Sequence, residues 1–315
     1  MPVSHLGRAL ELAERGRSAA YPNPVVGAVL VRDASIVGEG ITEPFGGRHA
    51  EVVALEAAAG QASGATLYVT MEPCAHHART PPCVDAVLAA GVACVVVGSL
   101  DPNPDASGGV DLLRAAGVEV DLVDSFEARR QNEAWRTWVS RGRPFVTYKV
   151  AATLDGRVTV PGSRWVTGEE SRHLVHELRA ESDAVVVGMG TVRADNPRLD
   201  ARGVPGGRQP RRLAFGRGPL PEGSELELRS GALPDELASL AEEGVQSLLL
   251  EGGPTLATAF LEADLVDKVL IFVAPTLSGA GSQLLQSLSR PRALTRLTSR
   301  AVGDDVVLEA YLHEP

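Results

Sequence analysis

The sequence predicts an α/β protein of two domains, the first of them three-layered. Three observations carry this expectation. The 315 residues exceed what one ordinary core requires at ~100–200 residues per domain. Hydrophobic and charged fractions of 44% and 22% are those of a globular chain and exclude a disordered, fibrous or coiled-coil one. Between residues 49 and 122 helical and extended patterns alternate, which calls for a largely parallel sheet with helices on its faces and a site beyond the C-terminal strand ends.

In chain order, Ser4 suits the N-cap of an opening helix over 4–17, where Leu6, Ala9, Leu10 and Ala13 recur at helical spacing. Two β-branched runs, 25–32 and 35–40, flank Asp33-Ala34 and read as a hairpin. A helix over 49–59, a strand over 66–71, a helix over 84–90, a strand over 93–98, a helix over 109–116 and a strand over 118–122 follow. A polar helix over 125–140 carries Trp135 and Trp138 on one face, and Arg141-Gly142-Arg143-Pro144 ends it. The domain boundary is expected there, giving domains 1–143 and 144–315. Beyond it, strands are expected over 145–151, 184–187, 212–215, 247–250, 269–273 and 306–312, with helices between them. The stretches 202–211 and 217–230 read as surface loops.

Thirty basic residues against forty acidic ones give a formal charge of −10, which disfavours a whole-molecule grip on nucleic acid or anionic membrane. Local pockets for small phosphates remain open. Only Lys149 and Lys268 are lysines, which reads as a compositional bias toward arginine with no catalytic meaning. The longest uncharged stretch, 86–100, falls short of the ~18–20 residues that span a bilayer. Residues 1–8 show no basic cluster ahead of an apolar core, so a cytoplasmic protein is expected. Three cysteines do not make a disulfide framework, and a reducing compartment favours metal binding or burial.

Spacing decides between those two. His49-Ala50-Glu51 opens a helix, Pro73-Cys74 follows an apolar strand, and Cys83 starts another helix nine positions later. One imidazole and two thiols supply three ligands for Zn²⁺ and leave the fourth tetrahedral position to water, the count of a catalytic site. Two thiolates cancel the dication charge, and helix N-termini near both cysteines favour them. Glu51, in the first helical turn, fits a proton shuttle. Cys94, between Ala93 and Val95 in an apolar strand, reads as core. The order H-x-E, P-C, C is that of zinc nucleobase deaminases, with eight residues between the cysteines where those have two.

Further strings make a closer match. Asn23-Pro24-Val25-Val26-Gly27, His49-Ala50-Glu51-Val52, Glu72-Pro73-Cys74-Ala75-His76-His77, Arg79-Thr80-Pro81-Pro82-Cys83 and Asp101-Pro102-Asn103-Pro104 resemble the deaminase half of the RibD family of bifunctional riboflavin biosynthesis proteins. In that family the long insertion between the cysteines is the rule. The resemblance implies a cytidine-deaminase-like α/β/α domain with Zn²⁺ on His49, Cys74 and Cys83 and with Glu51 as the proton shuttle. It also implies that Asn23, His76 and Arg79 hold a phosphoribosylaminopyrimidine, which loses its 2-amino group. The chain departs from the family pattern at Thr42, where a His is usual, at Ala78, where a Gly is usual, and over 105–110.

In the second half, residues 149–157 read as a strand running into an Asp-Gly turn. Residues 248–256 read as a strand, a Gly pair and a helix start with Pro254 in its first turn. That junction suits either a cofactor phosphate or a close-packed turn. Together with Ser163-Arg164-Trp165-Val166-Thr167, Leu178-Arg179-Ala180 and the run from Gly188 to Pro197, these strings resemble the reductase half of the same family, a dihydrofolate-reductase-like α/β domain. The resemblance implies NADPH contacts at Ala151, Trp165, Thr191, Asp195, Gly252, Gly253, Pro254, Thr255, Leu256, Ala257 and Thr258. It implies a substrate held by Ser163, Arg179, Leu199, Arg202 and Glu251, with Glu251 on ribose hydroxyls and Arg179 or Arg202 on the phosphate. Gly216-Arg217 stands where the family often has Asp-Ser, which offers Arg217 to the 2′-phosphate of NADP. Read alone, Trp165 equally suits a core, Asp195 a turn cap and Arg179 a solvated helix face.

The expected function is consecutive deamination and reduction in riboflavin synthesis by a dimer or larger homo-oligomer that uses Zn²⁺ and NADPH. Three rivals stand beside it. One is a family member with a silenced or redirected deaminase half. Another is a nucleoside or tRNA deaminase, against which the acidic balance and the long second domain argue. The third is a catalytically silent binding protein, which would be expected to lack Glu51 or a zinc ligand.

Overall fold

The computed structural model describes residues 4–76 and 81–315. Two compact units meet in sequence between Ser140 and Arg141.

The first unit orders its elements as α1 (His5–Ala20), β1 (Gly27–Arg32), β2 (Ser35–Ile41), α2 (Ala50–Ala57), β3 (Thr66–Val69), α3 (Cys83–Ala89), β4 (Cys94–Val97), α4 (Gly109–Ala115), β5 (Glu119–Leu122), α5 (Phe126–Gln131) and α6 (Glu133–Arg141). Its sheet runs β2-β1-β3-β4-β5. The β3-β4-β5 half is parallel, but β1 pairs antiparallel with both β2 and β3. The sheet is therefore mixed where a largely parallel one is expected, because the hairpin from the N-terminal run adds directly to the βαβ series. Alternation along β1 builds the three layers: Ala28 and Leu30 join α2 and α3 in one core, while Val29 and Val31 pack with Ala9 and Leu12 of α1 on the opposite face.

Two close approaches set the position of the first site. A Cβ at Gly40 of β2 would lie 2.1 Å from the Ala50 carbonyl oxygen, so α2 seats its first turn directly on the strand. A Cβ at Gly109 would lie 1.8 Å from the Pro73 carbonyl oxygen, so the start of α4 presses on the segment that carries Cys74. The expected long helix over 125–140 is broken at Asn132, whose φ and ψ are −120° and 30°. Its side chain leaves the helix to pair with both backbone groups of Val25, at 2.9 and 2.8 Å. Cys94 is half-buried at the start of β4 and is not core.

The second unit contains β6 (Phe145–Thr153), α7 (Glu169–Glu181), β7 (Ala184–Gly188), α8 (Met189–Asp195), β8 (Arg211–Phe215), β9 (Glu227–Arg229), α9 (Leu233–Glu242), β10 (Ser247–Leu250), α10 (Pro254–Glu262), β11 (Lys268–Ala274), β12 (Thr295–Val302) and β13 (Asp305–Tyr311). Its sheet runs β12-β13-β11-β6-β10-β7-β8-β9, parallel from β11 to β9 and antiparallel at the β11-β13-β12 end. Near-continuous apolar runs such as Val185-Val186-Val187 and Leu248-Leu249-Leu250 are what a strand buried on both faces requires. Two differences from expectation lie at the edges. The 217–230 stretch contains β9, and β12, exposed along almost its whole length, has no apolar alternation to reveal it. Among the described residues no helix is long and apolar enough to cross a membrane.

Candidate active sites

In the first unit, His49 is the N-cap of α2, Cys74 lies just beyond β3, and Cys83 is the first residue of α3. Their ligating atoms all lie within 4.8 Å of one another. His49 turns Nδ1 toward both sulfurs, at 3.5 Å from Cys74 Sγ and 3.2 Å from Cys83 Sγ. The backbone N–H of Cys83 donates to Cys74 Sγ at 3.3 Å, as expected of the free donors of a helix start. Hydrogen bonding from Cys83 and the nearby His49 holds the Cys74 thiol down to about 4, against its burial. Cys83, which shares its proton with Cys74 and is buried near Glu51, is pushed up. Contact with Cys74 pushes His49 up, and two sulfurs and an imidazole nitrogen converging in this way form a donor set suited to Zn²⁺.

Glu51 occupies the first turn of α2 and is buried, which pushes its carboxyl up to about 7. Glu72, a residue the sequence reading quoted without a role, holds the neighbouring loop: its carboxylate accepts the N–H groups of Asp101, Gly108 and Val110 at 3.1, 3.1 and 2.9 Å. Loop 101–110 is thereby anchored behind Pro73-Cys74, and Ala75 adds a backbone bond to Ala106 at 3.0 Å. Thr42, where a His is usual, is buried and bonds both backbone groups of Val26. Asn23 is exposed ahead of β1. His76 follows Cys74 and is half-buried, with no partner for Nδ1 among the described residues. Arg79 and Ala78 lie outside the described residues.

In the second unit a cleft of about 450 Å³ opens over the C-terminal ends of β6, β7 and β10. Ala151, Thr191, Asp195, Glu251, Gly252, Gly253, Pro254, Thr255 and Leu256 line it. Gly253 caps α10 with Pro254 in the first turn, so free backbone N–H groups face the cleft. Ala257 and Thr258 lie deeper in α10 and are buried; the Thr258 hydroxyl accepts the Gln286 N–H at 3.0 Å. Trp165 is 53% exposed, with the Arg164 and Arg172 guanidinium groups 5.0 and 5.3 Å from its ring, and does not line the cleft. Arg217 is exposed after β8, and its carbonyl accepts Arg193 Nη2 at 2.7 Å, which ties that loop to α8.

Behind the cleft residue Glu251, Arg179 donates to its carboxylate through Nε at 2.6 Å and Nη2 at 3.0 Å, a bidentate pair. Lys149 Nζ stands 3.8 Å from the same carboxylate. Burial works against the Glu251 charge, but the two cations keep this carboxyl below its ordinary value. Burial brings Lys149 below its own. Leu199 is buried with φ of +52°, and Arg202 is exposed three residues later. The Ser163 hydroxyl, also exposed, donates to the Trp165 carbonyl oxygen at 2.7 Å. Lys149 has no role in the sequence reading. The available signal was a lysine inside an apolar strand in a chain with only one other.

A His/Cys/Cys cluster beside a buried carboxyl in one unit and a cleft over strand ends and a glycine-pair helix start in the other define the class of a two-domain α/β enzyme. Family comparison agrees: residues 3–99 match the cytidine and deoxycytidylate deaminase zinc-binding region, and residues 144–308 match the RibD C-terminal domain. The riboflavin biosynthesis protein RibD of Aquifex aeolicus is 40% identical, covering 97% of each chain. That of Escherichia coli is 37% identical over 96% of this chain and 97% of its own. The solved structure of Acinetobacter baumannii RibD, form 1, superposes with a TM-score of 0.85 at 35% identity over 98% of this chain and 97% of that one. A Thermotoga maritima diaminohydroxyphosphoribosylaminopyrimidine deaminase/5-amino-6-(5-phosphoribosylamino)uracil reductase gives 0.83 at 35% identity, with the same coverage. The chain belongs to the RibD family and is a bifunctional deaminase and reductase of riboflavin biosynthesis.

Proposed function

We propose that the first unit hydrolyses the 2-amino group from 2,5-diamino-6-(5-phosphoribosylamino)pyrimidin-4-one, and that the second reduces the ribosyl group of that product to ribityl. The convergence of His49 Nδ1 and two cysteine sulfurs within 4.8 Å carries this reading. These three residues would hold Zn²⁺, which supplies the Lewis acidity that makes water a nucleophile near neutral pH. Glu51, buried and held near neutrality, takes a proton from the attacking water and returns it to the departing nitrogen, so that water enters and ammonia leaves. Asn23, His76 and Arg79 orient the substrate.

NADPH would lie along Ala151, Thr191, Asp195 and the Gly252–Thr258 segment, with Trp165 and Arg217 approaching from exposed loops, and it supplies the hydride. Glu251 grips the ribose hydroxyls of the opened sugar, while Arg179 or Arg202 meets the phosphate, Arg202 being the one not already paired with Glu251. Ser163 and Leu199 complete the substrate wall. With this reading goes a cytoplasmic homo-oligomer, a dimer or larger, which sedimentation tests. Product masses from zinc-loaded protein test the chemistry. Deaminated product without NADPH, and reduced product only with it, is the expected result; reduction of supplied intermediate without any deamination would leave the reductase-only reading.

A further inference from the structure

Helix α7 meets the loop after α8 at His176. Its Nδ1 lies 3.2 Å from the backbone N–H of Arg202 and 3.0 Å from the carbonyl oxygen of Asp200. These neighbours make opposite demands: the N–H needs a bare ring nitrogen, the carbonyl a protonated one. The Asp200 carbonyl already accepts Arg179 Nη1 at 3.2 Å. The Arg202 N–H has no other acceptor among the described residues. Satisfying both groups leaves Nδ1 as the acceptor and puts the ring proton on Nε2.

The charged groups around the ring agree with a neutral imidazole. Burial is the largest influence and, with Arg179 on its own helix and Arg202 on the facing loop, brings His176 below its ordinary value; the Asp200 carbonyl and carboxylate on that loop and the Glu251 charge beyond β10 oppose it. The loop needs holding. Leu199, buried at φ +52°, sits in a backbone region that side chains rarely adopt. Gln209 braces Ala201 through both backbone groups, at 3.0 and 2.7 Å. The Arg202 guanidinium is anchored only loosely, 3.5 Å from Asp200 Oδ1.

We infer that His176 is a positioning residue of the reductase site, whose bare Nδ1 fixes the Arg202 backbone and so aims that guanidinium, beside Arg179, at the substrate phosphate. This rests on the reading of Arg202 as a phosphate contact. Protonating the ring turns the acceptor into a donor and releases Arg202, so phosphate recognition weakens in acid.

The test is steady-state reduction of the deaminated phosphoribosyl compound by full-length protein carrying His176→Ala, His176→Asn or Arg202→Ala. Losing one fixed hydrogen bond should raise the His176→Ala substrate KM about tenfold, with kcat and the NADPH KM unchanged. Asparagine offers Oδ1 where Nδ1 stood and does not titrate. His176→Asn should therefore keep the wild-type KM at neutral pH and show a smaller rise in acid than the wild type. An unchanged KM in His176→Ala, with Arg202→Ala raising it, overturns the inference and leaves Arg202 as a phosphate contact. An unchanged KM in Arg202→Ala overturns both. A fall in kcat with a higher NADPH KM in His176→Ala marks a merely structural role, and an acid limb as large in His176→Asn as in the wild type removes the ring proton from the account.

Discussion

The two sites are built by different means. The candidate deaminase site is made of side-chain atoms: an imidazole nitrogen and two sulfurs converge, with a buried carboxyl in the same helical turn as His49. The reductase cleft is made largely of backbone and shape, from strand ends, a glycine pair and the open N–H groups of α10. Metal chemistry demands particular residue types at particular places, whereas a cofactor cradle demands only that the chain pass nearby. Single substitutions should accordingly silence the first site outright and only weaken the second.

The largest effect is expected at Glu51. Glu51→Gln should lower deamination by about 10²–10⁴-fold while zinc content and reduction of supplied intermediate stay unchanged. Zinc analysis alongside both assays checks this, and a parallel loss of reduction would erase the contrast. Gly109→Ala follows. Its Cβ would overlap the Pro73 carbonyl oxygen at 1.8 Å, a backbone clash that side-chain rotation cannot relieve. The first unit should lose about 1–3 kcal/mol and bind zinc less completely, with the second melting as before in calorimetry.

On the reductase side, Arg179→Ala leaves Glu251 with Lys149 alone at 3.8 Å. Stability should fall by about 3 kcal/mol, and the reductase KM for its phosphorylated substrate should rise while deamination is untouched. The smallest effect concerns acid. Thr153, Ser278 and Gly279 donate to the Asp155 carboxylate at 2.6, 2.9 and 2.8 Å and hold it at about 2, below its ordinary 3.8. A folded value below the unfolded one stabilises above about pH 4, and this contribution is lost as pH falls toward 2. Asp155→Asn should flatten that part of the melting-temperature curve for the second unit.

The same contrast explains what the sequence made legible. His49, Cys74, Cys83 and Glu51 stood out from residue type and spacing, and the structure brings the three candidate ligands within 4.8 Å of one another. The glycine pair before α10 was visible as a junction but equally as a close-packed turn, because backbone donors leave no residue-type signature. Lys149 stood out as one of two lysines, but its role could not be read locally, because Arg179 and Glu251 lie far away in sequence. The break at Asn132 depends on a pairing with Val25 across 107 positions, which no local pattern encodes. Strand β12 escaped because an edge exposed on almost every residue shows no hydrophobic period.

The most direct test of two separately built sites is to strip the protein of metal with a chelator and assay both reactions before and after restoring Zn²⁺. The account predicts that deamination disappears and returns with zinc while NADPH-dependent reduction of supplied intermediate holds steady throughout. Loss of both activities together, or deamination that survives without metal, would contradict it.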